Sequence, residues 1–151
     1  MVDKTKQIDQ GGDDVIVNAV CYSSTPGGPY NRVLNMNSQT APVVVGGTST
    51  VLTFANLLTG LIISTNASAT TLQMDTAANL IAAANAFGSG AQVGDSIIFA
   101  ASAAGAAGAT VTVNTGVTFS AGSTGAIITG TQKDFVVRIT NVSTPACVIY
   151  V

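Results

Sequence analysis

The sequence predicts an all-β protein: an antiparallel β-sandwich or jelly roll with one short inserted helix at about residues 76–87 and an extended N-terminal arm. Three observations carry that expectation. From residue 43 onward, short Thr-, Val- and Ile-rich segments are separated by Gly, Asn and Ser, as half-buried strands are. Only one stretch repeats convincingly at helical spacing, with Ala77, Leu80, Ile81, Ala84 and Phe87 on one face. Residues 1–42, by contrast, hold scattered strand signals among Gly, Pro and Ser. The chain thus divides into a largely irregular arm, residues 1–42, and a β-sandwich domain, residues 43–151.

Taken in order, residues 1–14 are charged and close on Gly and Asp. Residues 14–20 form the first candidate strand, and Cys21 and Tyr22 lead into the loop of residues 23–29. Residues 30–36 are a further candidate for extended chain. Val43, Val44 and Val45 make a short strand that ends at Gly46-Gly47, and residues 49–54 alternate. Residues 55–60 are a candidate turn of helix, and residues 61–65 and 70–74 are strands. The helix follows, with Asp75 as a natural N-cap and Gly88-Ser89-Gly90 as the stop. Residues 93–99 read as a core strand and residues 100–109 as an Ala/Gly loop. Residues 110–114 and 117–119 read as a hairpin about Asn114-Thr115-Gly116, sharing Val111, Val113, Val117 and Phe119 on the inner face. Residues 126–129 follow a Gly-rich bend. In the next strand Phe135, Val137 and Ile139 alternate with Val136, Arg138 and Thr140, and residues 146–151 close the domain. Eight to ten such strands predict layered antiparallel sheets, which bury many half-apolar strands in one domain.

Composition narrows the function classes. Charged residues are 8% of the chain and aromatic residues 5%, with no His or Trp and a net charge of −2. A surface so poor in charge is weakly protected against association, and copies of the chain or a partner are expected to cover much of it. Phosphate binding by nucleic-acid proteins rests on clustered Lys and Arg, which are missing, so no nucleic-acid partner is expected. No apolar run is long enough to span a bilayer and no signal peptide opens the chain, so neither a membrane nor a secretory route is expected; synthesis in the cytoplasm is. Cys21 and Cys147 do not make a disulfide framework and are expected as free, buried thiols.

Chemistry is equally sparse. Gly88, Gly90 and Gly94 lack the spacing and the strand–helix context of a dinucleotide site. A triad needs a His or a substitute base, and His-based or paired-Cys metal sites are ruled out on the same inventory. Asp13, Asp14, Asp75 and Asp95 are the acids left for calcium or acid–base work. Their simpler roles are a solvated arm, a helix cap and a turn whose amides Asp95 accepts from. Lys133, Asp134 and Arg138 read as an exposed hairpin and strand face, and the sequons at Asn66 and Asn141 as chance matches. No catalytic residue, cofactor or metal ligand is expected, and an enzyme is the least favoured class. For contacts with a shell or another subunit the candidates are Val15 and Val17 in the first strand, with Tyr22, Tyr30 and Arg32. Aromatic residues and Arg are common interface anchors, although the two rings serve equally well to cover the edge of the sandwich.

Four segments in this order, Val93-Gly-Asp-Ser-Ile-Ile-Phe99, Gly116-Val-Thr-Phe119, Ala121-Gly-Ser-Thr-Gly125 and Phe135-Val-Val-Arg-Ile-Thr-Asn141, resemble virion structural proteins of tailed bacteriophages and other double-stranded DNA viruses. The resemblance covers residues 48–151. Within that group a short chain with an arm and one β-domain looks most like a capsid decoration or cement protein. The resemblance implies a homotrimer bound to the major capsid protein on the capsid surface. Penton, head-fibre or tail-fibre modules that bind a host glycan are the alternative, which the lack of Trp weakens.

Overall fold

Short segments whose side chains alternate between core and surface become strands, and two segments introduced by Thr become helices, in a computed structural model that describes residues 41–86 and 90–151. In chain order these are β1 (Val43–Val45), β2 (Ser49–Leu52), α1 (Phe54–Leu58), β3 (Leu61–Ser64), β4 (Thr70–Met74), α2 (Ala77–Asn85), β5 (Ser96–Ala103), β6 (Ala109–Thr112), β7 (Val117–Phe119), β8 (Ala126–Ile127), β9 (Gln132–Asn141) and β10 (Ala146–Tyr150). A six-stranded sheet runs β1-β3-β5-β9-β10-β7, and a four-stranded sheet runs β2-β4-β6-β8.

This is a mixed α/β arrangement, and it corrects the expected antiparallel sandwich or jelly roll. Five of the eight strand pairings are parallel: β1 with β3, β3 with β5, β10 with β7, β2 with β4 and β4 with β6. The cause is the path of the chain. It leaves β1 for the other sheet at β2, returns through α1 to β3, crosses again to β4, and returns through α2 to β5. Through β5 and β6 each strand reached in this way runs in the same direction as its neighbour, as a crossover allows and a tight turn does not. Antiparallel pairing is confined to β5 with β9, β9 with β10 and β6 with β8. The expected hairpin of residues 110–119 is also corrected. β6 and β7 lie in different sheets, and Val113 is exposed while Val111 and Val117 are buried.

Both crossover helices begin in the same way. Thr53 and Thr76 hold extended backbone, and each hydroxyl accepts the amide of the Asn three residues on, Asn56 at 3.4 Å and Asn79 at 3.2 Å. Thr76 is therefore the N-cap, where Asp75 was expected. The Asp75 carboxylate, one residue earlier, accepts the Thr76 amide and the Asn79 side-chain amide, both at 2.8 Å. The helix buries Ala77, Leu80, Ile81 and Ala84 as the spacing predicts, and it stops at Ala86, before Gly90. Phe87, Gly88 and Ser89 lie outside the described residues.

One continuous core joins the two sheets and both helices. Leu52, Leu72, Met74 and Val111 come from the smaller sheet, Ile62, Phe99, Phe135 and Ile149 from the larger, and Leu57 and Leu80 from the helices. Phe99 and Phe135 face each other across β5 and β9 with ring centres 5.1 Å apart and planes 14° from parallel. Ser64 on β3 donates to Thr70 on β4 at 2.7 Å, so a buried hydroxyl pair also ties the sheets together. The turn into β7 depends on Gly116: its φ is +76°, and a Cβ there would sit 2.6 Å from the Pro145 carbonyl oxygen.

Candidate functional site

Alternation along a strand sends every second residue away from the core, and in an ordinary half-buried sheet those residues are polar. In the larger sheet many are not. β3 turns Leu61 and Ile63 outward, β5 turns Ile98, β9 turns Val136, and β10 turns Val148 and Tyr150. Val44, on edge strand β1 and paired with Ile63, is 64% exposed, and Ile98 and Tyr150 are 43% and 42% exposed. Register lines these residues up. Val136 faces Ile98 on one side and Tyr150 on the other, so three apolar side chains form a row across the middle of the sheet.

The charges on this face come from the same strand. Asp134 lies opposite Ala100, which in turn pairs with Leu61, and Arg138 lies between Ser96 and Val148. Both flank Val136 at two residues' distance, one acid and one base. Lys133 points the other way: its ammonium donates to the Thr124 carbonyl at 2.6 Å and stands 6.0 Å from the Phe135 ring centre.

Asp95 and the two sequon asparagines serve local structure. Asp95 is fully buried, and its carboxylate accepts the Gln92 amide at 2.8 Å, the turn role that its sequence context predicts. The Asn141 side chain accepts the Ser143 and Thr144 amides at 3.0 Å, and Asn66 accepts that of Ser68 at 3.0 Å, so both sequon residues shape turns. Among the described residues no three of His, Cys, Asp and Glu gather as a metal site needs, and no helix is long and apolar enough to cross a membrane. The candidate contact residues Val15, Val17, Tyr22, Tyr30 and Arg32, and Cys21 with them, lie outside the described residues.

Cys147 is free and buried, as its sequence setting predicts, and burial pushes its thiol up from 9.0 to about 11. The unfolded chain loses this proton near its ordinary value and the folded chain only near the raised one. The contribution to stability is thus complete below the ordinary value and declines as pH rises through the window between the two, by about 2–3 kcal/mol at most. Thiol reagents at pH 8 are expected to label native Cys147 far more slowly than the denatured chain. Equal rates would show that the thiol is not shielded.

Compared with protein-family models, with curated proteins and with solved structures, the chain matches none.

Proposed function

We propose that this chain is a virion structural protein of the capsid decoration or cement type, which works by assembling with copies of itself and with the major capsid protein on the shell surface. The observation that carries the reading is the outer face of the six-stranded sheet, where Ile63, Ile98, Val136, Val148 and Tyr150 make an apolar surface that an isolated domain has no reason to keep. A surface of this kind does no bond chemistry; its physical use is to remove apolar area from water against another protein. The low charge of the whole chain, 8%, supports the same use. The assignment to the virion rests on the resemblance of residues 93–99, 116–119, 121–125 and 135–141.

The test mixes full-length protein with undecorated, expanded phage capsids and measures occupancy together with the temperature at which DNA is released. The reading expects saturable binding and a higher release temperature. No binding to shells, with binding to host cells or their glycans instead, would move the protein to the fibre class.

A further inference from the structure

We infer that the outer face of the six-stranded sheet pairs with the same face of a second copy about a two-fold axis that runs along the Ile98–Val136–Tyr150 row. The inference rests on reading this face as an assembly surface and adds the occupant. It comes from the placement of the two charges. Asp134 and Arg138 sit on β9 at equal distances on either side of Val136, each about 7 Å away at the rise of a strand. A two-fold along the row through Val136 stacks β9 on the partner's β9 in the opposite direction. The axis exchanges the line of residues that holds Asp134 with the line that holds Arg138, so each Asp134 meets an Arg138 and the pair forms twice.

The axis row and β5 follow the same symmetry. Ile98, Val136 and Tyr150 lie on the axis row and meet their own counterparts, which suits apolar side chains. On β5, Ser96, beside Arg138, meets Ala100, beside Asp134, and both are small enough to let the sheets approach there. An axis along the strands instead would set Asp134 on Asp134 and Arg138 on Arg138, so the charges select one orientation and reject the other. β5 and β9, 8 and 10 residues long, supply most of the overlap about this axis, with Tyr150 of β10 beside them. Self-complementary contact about a two-fold is also the commonest way for identical chains to associate. The family resemblance implies a trimer; the pair is the arrangement that the charges on this face support.

Charge reversal tests the pairing without touching the core. Full-length wild type is expected to be a dimer by gel filtration with light scattering. Asp134→Arg and Arg138→Asp, each with an unchanged unfolding midpoint, are expected to weaken dimerisation at least tenfold, because each sets like charges against one another twice. Mixed in equal amounts, the two variants should dimerise again, since the heterodimer restores both opposite-charge pairs; loss of folding cannot produce that rescue. A monomeric or trimeric wild type, single variants that dimerise as wild type does, or a mixture that stays monomeric would each overturn the two-fold pair. A monomer that nevertheless binds expanded shells would overturn this pair alone, whereas a dimer that ignores shells would overturn the decoration reading alone.

Discussion

Phe135→Ala is expected to destabilise the fold by about 3–5 kcal/mol, the range for truncating a fully buried aromatic side chain. Phe135 is completely buried and stacks on Phe99 at the centre of the β5–β9 pairing, so its removal opens a cavity that the neighbouring strands, held in a hydrogen-bonded ladder, cannot close. The loss is a large share of the roughly 5–15 kcal/mol that a domain has in total. A denaturant titration should show the midpoint falling with little change in slope. A midpoint within about 1 kcal/mol of wild type would mean that this stack is not part of the core.

Val136→Asp, one residue further along β9, is expected to do the reverse. Its side chain leaves the opposite face of the sheet, so the fold should lose no more than about 1 kcal/mol. Association should collapse, because Val136 lies on the axis row and meets its own counterpart, so the substitution sets two carboxylates against each other where pairing would bury them. Sedimentation of the variant and of wild type at matched concentration reads this directly. Unfolding of the variant would place Val136 in the core, and undiminished association would place the assembly surface elsewhere.

That Phe135 and Val136 face opposite sides of the sheet was half visible in the sequence. The inward set Phe135, Val137 and Ile139 was legible from its alternation, and so was the outer position of Arg138. Val136 in the outward set was a signal of a different kind: strands such as Phe135-Val-Val-Arg-Ile and Cys147-Val-Ile-Tyr150 are apolar on both faces, which parallel or covered sheets require and half-solvated sandwiches do not. Most strands could be placed, since period-two patterning is local. Their partners could not, because pairing depends on where the chain returns after each crossover. One trace of the winding is local: β2 and β4, paired in register from Ser49 with Thr71 to Leu52 with Met74, are each followed by Thr-x-Ala-Asn-Leu, at Thr53 and again at Thr76. A repeated strand-then-cap unit marks successive turns of one winding, and spacing alone did not disclose it. The shift of the cap from Asp75 to Thr76 was within the ordinary ambiguity of two adjacent capping residues, since both side chains bond to helix-start amides.

The central claim is that the outer face of the six-stranded sheet is where the protein assembles, and hydroxyl-radical footprinting of full-length protein across a dilution series tests it most directly. Ile98 and Tyr150 report on that face, and Ile128, 75% exposed just beyond β8 of the smaller sheet, reports on a surface outside it. The account predicts that oxidation of Ile98 and Tyr150 falls as concentration rises while that of Ile128 stays constant. Protection of Ile128 with Ile98 and Tyr150 unchanged would contradict it.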